Sequence, residues 1–182
     1  HNHEALEGHR PGGLVEPIEN LSAEELRELM ARGHGDRAFR LDCLIGGPPC
    51  EGFSQNRTIN GMGARTHKFI DDPRNQLFRW FVRLAEALQP RVVLIENVPD
   101  LVRHRDGETR EEILTALGEA GYRATVRVLN AADYGVPQMR RRAFFLCQRV
   151  EDFERTRFQT EFPAPTHVPY PLQHSSLLDD PD

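Results

Sequence analysis

The sequence predicts an α/β fold of the doubly wound kind, and three observations carry that expectation. Predicted strands and helices alternate along the chain, the order that builds a sheet with helical crossovers. Val92-Val93-Leu94-Ile95 is an unbroken apolar run, the pattern of a parallel strand buried on both faces. Polar groups follow two predicted strands directly, at the sheet edge where open α/β folds bind their ligands.

Residues 1–20 have little pattern, with Leu14-Val15 at most the remnant of a strand. Ser22, with Glu25 three residues on, forms a capping box and opens a helix to about Arg32, which Gly33 ends. A strand over 41–46 follows and stops at Gly46-Gly47-Pro48-Pro49, because the glycines allow a sharp turn and proline cannot donate to a ladder. Cys50 is thereby presented at a carboxyl-terminal strand edge. Residues 51–71 have no periodicity and read as a long functional loop. Asp72-Pro73 supplies an N-cap and a first helical position, and Leu77, Phe81, Leu84 and Leu88 give the apolar face of a helix that Pro90 closes. The strand over 92–95 ends in Glu96-Asn97-Val98-Pro99. A helix over about 108–120 carries Ile113, Leu114 and Leu117 and stops at Gly121. Strands are expected over 123–129 and 143–148, separated by a turn ending in Arg140-Arg141-Arg142. From 151 onward the chain is rich in proline and acid. The expected division is thus 1–150 as the catalytic part and 151–182 as a linker.

Hydrophobic content of 38% and charged content of 28% are those of an ordinary globular protein. No apolar run is long enough to span a membrane, and the start lacks the apolar core of a signal peptide, so a cytoplasmic protein is expected. A net charge of −5 argues against nucleic-acid binding by the whole surface but leaves room for a local basic site. Arg140-Arg141-Arg142 is such a site, with Arg123 and Arg127 one strand earlier. The three cysteines have no metal-ligand spacing. Cys43 and Cys147 lie in apolar runs and read as core thiols.

Cys50, Glu96 and the group Gln138, Arg140 and Arg142 together offer a nucleophile, a carboxylic acid and a cationic clamp. Nearby arginines and helix-terminal amides favour the thiolate of a cysteine. A carboxylate after four apolar residues is expected in a poorly solvated place, which disfavours its charge and lets it hold or deliver a proton. Taken singly, each feature has a plainer reading: a core thiol, a capping carboxylate, a solvated basic patch. Their joint occurrence at successive strand ends is what points to a site.

Three ordered motifs resemble those of the cytosine-5 DNA methyltransferases. Pro48-Pro49-Cys50-Glu51-Gly52-Phe53-Ser54 looks like the nucleophile loop, Glu96-Asn97-Val98 like the Glu-Asn-Val motif, and Tyr134-Gly135-Val136-Pro137-Gln138-Met139-Arg140-Arg141-Arg142 like the Gln-x-Arg-x-Arg motif. Asp72-Pro73-Arg74-Asn75-Gln76-Leu77-Phe78 matches the intervening helix start, and Phe162-Pro163-Ala164-Pro165-Thr166-His167 the segment before the target-recognition region. The resemblance covers roughly 14–170. It implies a Rossmann-like, S-adenosylmethionine-dependent domain acting on double-stranded DNA with a flipped cytosine, as in DNA methylation and restriction-modification. By resemblance, Cys50 is the nucleophile, Glu96 the acid, and Arg140 and Arg142 steady the base. Asn97, Gln138 and Ser54 are substrate-side residues, Pro49 and Leu77 touch S-adenosylmethionine, and no metal is implied.

Two departures accompany the match. Glu51 stands where the family usually has Gln. The Phe-x-Gly-x-Gly cofactor loop, the ribose-binding acid and the target-recognition region have no counterpart here, so a partial domain is expected, completed by a further segment or a second chain. Two alternatives stay open: a catalytically incomplete homologue acting as a regulatory or DNA-binding partner, and a tRNA cytosine-5 methyltransferase.

Overall fold

A computed structural model describes residues 17–34, 40–49, 75–156 and 160–167. The chain divides into two compact units, residues 1–39 and 40–182. In the first, α1 (Ala23–His34) begins at the expected capping box. Glu25 N–H donates to Ser22 Oγ at 3.1 Å, and Ser22 N–H and Oγ donate to Glu25 Oε2 at 3.1 and 2.7 Å. These bonds hold the Glu25 carboxyl below its ordinary value. Gly33 does not end the helix, which runs through His34.

The second unit is built on a four-stranded sheet of order β1-β2-β4-β3. β1 (Cys43–Gly46) pairs in parallel with β2 (Val92–Asn97), Ile45 opposite Leu94. β4 (Arg141–Arg149) pairs antiparallel with both β2 and β3 (Tyr122–Asn130). The hairpin strands are longer than the sequence predicts, so Arg141 and Arg142 begin β4 rather than lie in the turn.

The helices are α2 (Gln76–Leu88), α3 (Asp100–Arg103), α4 (Glu108–Glu119) and α5 (Val150–Thr156). Phe78, Phe81 and Ala85 of α2 and Ile113 and Leu117 of α4 form one core with Val93, Ile95, Phe145 and Cys147 of the sheet. The buried stripe of α2 is Phe78, Phe81, Leu84 and Ala85, so the expected stripe is centred one residue off, with Leu77 and Leu88 at its flanks. Asp72-Pro73 lies outside the described residues. Gln89 takes the left-handed conformation that caps α2, its N–H donating to Ala85 O. Tyr122 Oη donates to Ala85 O at 3.2 Å and Pro90 O at 2.9 Å, fixing β3 to the end of α2.

The opposite sheet face departs from expectation. Within 40–182, α2 and α4 pack on one face only, so Val93 and Ile95 are buried while Val92, Leu94 and Glu96 are half-exposed. Burial of β2 on both faces is therefore corrected. Cys43 is corrected with it: the alternation of β1 turns it to the half-covered face, where it is exposed. Cys147, on the helix face, is buried as expected, and desolvation pushes its thiol up to about 12.

The region after 150 also holds structure. Arg149 and Asp152, both almost fully buried, pair through Nη2 and Oδ2 at 2.7 Å, and Arg149 Nη1 donates to Gln89 O at 3.0 Å. Desolvation pushes the Asp152 carboxyl up, yet hydrogen bonds from Arg155 and Arg149 outweigh it and hold the group below its ordinary value.

Candidate active site

Strand alternation assembles the site. In an R-x-R spacing at the start of a strand, both guanidinium groups fall on the same side. The register sets Glu96 opposite Phe144 and Phe144 opposite Arg127, with Arg142 opposite Leu129 in the adjacent row of that face. Arg142 Nε lies 2.9 Å from Glu96 Oε1, and Arg140 Nη2 lies 3.8 Å from the same oxygen.

This carboxylate is not desolvated as the sequence predicts. Its side chain remains 37% exposed, and Arg142 remains 27% exposed. A partly exposed pair of this kind contributes about 1 kcal/mol or less. A ligand can therefore replace one of its contacts at little cost. The same three residues line a cavity of about 290 Å3, floored by Leu129 and Phe144 and walled by Ala131, Tyr134 and Pro163. That volume lies at the small end of the range for ligand sites, suited to a single ring rather than a dinucleotide.

The turn after β1 is fixed beside this cluster. Asn97 is buried, and its Nδ2 donates to Pro48 O at 3.0 Å while its Oδ1 accepts from Val98 N–H at 2.8 Å. One side chain thus ties the turn after β1 to the end of β2. Gly47 lies close to the same carboxylate: a Cβ there would sit 3.3 Å from Glu96 Oε2. Pro49 is exposed on this turn, and Leu77 is half-buried on the first turn of α2.

Cys50 and Ser54 lie outside the described residues. Gln138 is exposed in the turn before β4, where its N–H donates to Val136 O at 2.7 Å, and it does not line the cavity. Arg123 and Arg127 lie over the rings of Phe153 and Phe162, 5.1 and 5.8 Å from their centroids. The wall residues Leu129, Tyr134, Phe144 and Pro163 were not foreseen as site residues. Period-two alternation from Glu96 and Arg142 gives the signal for Phe144 and Leu129, once strand pairing is known. Among the described residues, no group of three His, Cys, Asp or Glu could hold a metal ion. Likewise, no described helix is long and apolar enough to cross a membrane.

Residues 22–180 match the family described as C-5 cytosine-specific DNA methylase. Among curated proteins, the type II methyltransferase M1.HphI of Haemophilus parahaemolyticus is 45% identical over 131 residues, which cover 72% of this chain and 32% of that protein. The type II methyltransferase M.FnuDI of Fusobacterium nucleatum is 34% identical over 145 residues, covering 80% and 38%. The chain therefore spans about a third of the length of these relatives. Among solved structures, a prophage-encoded protein of E. coli described as a DNA modification methyltransferase aligns with a TM-score of 0.60 and 28% identity, over 84% of this chain and 36% of that one. The Entamoeba histolytica methyltransferase EhMeth aligns with a TM-score of 0.55 at 20% identity, over 85% and 41%, a likeness of fold.

Proposed function

This chain belongs to the C-5 cytosine-specific DNA methylase family, and from that premise we propose that it carries the nucleophile and base-binding elements of an enzyme that methylates C5 of cytosine in duplex DNA. The observation that supports this most directly is the Glu96 cluster: one carboxylate oxygen held by Arg142 and Arg140 at the mouth of a ring-sized cavity, beside the Asn97-tethered turn that leads to Cys50.

The chemistry follows from the residue types. The target cytosine leaves the stack and enters the cavity, where Phe144 and Leu129 offer an apolar floor. The Cys50 thiolate adds to C6, forming a C–S bond and moving the ring electrons toward N3 and C5. Glu96 holds a proton at N3 and accepts a hydrogen bond from the exocyclic amine, while Arg142 and Arg140 face O2 and the flanking phosphate. Such preorganised charge is commonly the largest catalytic contribution. S-adenosylmethionine, when bound, supplies an electrophilic methyl group to C5. Loss of the C5 proton to a base then lets the C–S bond break, restoring the ring and the thiolate. Asn97 holds the turn in place throughout.

The residues present suit the donor on one side. Exposed Pro49 and half-buried Leu77 present apolar surface, and a Cβ on Gly46 would drive into the ring of Phe81, so this turn and α2 are in close contact. Pro49 and Leu77 would hold the donor there.

Transfer of labelled methyl groups by the full-length polypeptide tests the reading, with duplex DNA and tRNA offered in competition. The expected product is 5-methylcytosine in DNA. Label in tRNA alone would overturn the DNA assignment, and no label in either would overturn the activity.

A further inference from the structure

The segment Thr160–His167 is fastened across the same sheet face that carries the Glu96 cluster. Thr160 N–H and Oγ1 donate to Gln148 Oε1 at 3.0 and 3.3 Å. Phe162 meets the Arg127 guanidinium, in the row that runs from Glu96 through Phe144. Tyr134 Oη donates to Pro163 O at 3.1 Å. Thr166 and His167 both donate their N–H to Asp133 O at 2.9 Å. Gly135 has a φ of 86° and lies so close to the His167 ring that a Cβ would sit 2.7 Å from it. The segment is thus tied to β4, to β3 and to the turn after β3.

Pro163 is the member of this segment that lines the cavity with Glu96, Arg140 and Arg142. Prolines at 163 and 165 fix φ and offer no N–H, so this stretch cannot join a strand ladder and keeps its shape between anchors. The hydrogen-bonded anchors at Thr160 and Thr166 are each three residues from Pro163, whereas Tyr134 binds the Pro163 carbonyl directly and itself lines the cavity.

We propose that Thr160–His167 is a strap forming the fixed outer wall of the base cavity, and that Tyr134 is a positioning residue that sets this wall through Pro163. The inference rests on the proposed cytosine chemistry. Its specific consequence is that the Tyr134 hydroxyl matters once a base occupies the cavity, not for gripping the duplex.

The test compares the full-length polypeptide with Tyr134→Phe, Pro163→Ala and the double variant. In Tyr134→Phe, kcat is expected to fall about fivefold, the worth of one hydrogen bond, with KM for duplex DNA unchanged. Hydrogen exchange at the Thr166 and His167 amides should quicken. The double variant should lose no more than the larger single loss, because Pro163→Ala keeps the carbonyl that Tyr134 binds but removes the ring that Tyr134 sets in place. An unchanged kcat in Tyr134→Phe, a rise in KM alone, or losses that multiply in the double variant would each overturn the proposal. If the unaltered protein transfers no methyl group, the functional reading fails instead. Exchange then decides the strap: faster exchange in Tyr134→Phe upholds the latch and unchanged exchange refutes it.

Discussion

Glu96 gathers the site at the residue scale, because one carboxylate oxygen meets Arg142 at 2.9 Å and Arg140 at 3.8 Å. Glu96→Gln keeps the shape of the side chain and removes the proton that the proposed mechanism places at N3. Its kcat is expected to fall by about 10² or more, the scale of a lost general acid, with DNA binding retained; single-turnover kinetics with a DNA-binding isotherm measures both. Asn97 is the second such residue. Asn97→Ala leaves the Pro48 carbonyl and the Val98 N–H without this partner and is expected to cost about 1–3 kcal/mol, read by urea unfolding. Both residues were legible in the sequence as polar side chains ending an apolar strand. What was not legible was the solvation of Glu96. That depends on what covers the far face of β2, and strand periodicity does not report it.

At the scale of elements, apolar runs located the strands, and the register explains why Arg142 shares a sheet face with Glu96, with Arg140 just ahead of β4 reaching the same oxygen. The phase of α2 was harder to read. An apolar stripe about 100° wide admits Leu77 or Phe78 equally, and the larger ring of Phe78 took the fully buried position. The helix α5 gave little signal because its anchor is a buried ion pair rather than an apolar stripe. Asp152→Ala would leave Arg149 buried without its carboxylate and is expected to cost about 3–5 kcal/mol. The same pair gives an acid dependence. Asp152 has a lowered folded value, so its contribution is fully present above the ordinary carboxylate value of about 3.9 and is lost as pH falls through the folded one. Thermal scans between pH 5 and 2.5 should show Asp152→Asn losing less stability on acidification than the unaltered protein. The end of β1 makes a third case: Gly46→Ala would push a methyl group into the Phe81 ring and should lower the melting temperature.

At the scale of the molecule, a net charge of −5 coexists with arginines concentrated on one sheet face. Arg127 and Arg123 are engaged with aromatic rings, while Arg140 and Arg142 converge on the cavity. Local rather than global positive charge is what the proposed site for one extruded base requires. The fold class and the order of the motifs were legible because two motifs follow strands that must end and the third leads into β4. The cavity walls were not, since Tyr134 and Pro163 meet only through the path of a proline-rich segment with no periodicity.

Covalent capture tests the proposed attack of Cys50 on C6 of a cytosine held by Glu96. Duplex DNA containing 5-fluorocytosine blocks release, because fluorine cannot leave C5 as a proton does. The full-length polypeptide, given S-adenosylmethionine, is expected to form a denaturation-resistant adduct whose mass equals protein plus methylated DNA strand, and Cys50→Ser is expected to form none. An unaltered protein that methylates DNA without forming this adduct, or an adduct that persists in Cys50→Ser, would contradict it.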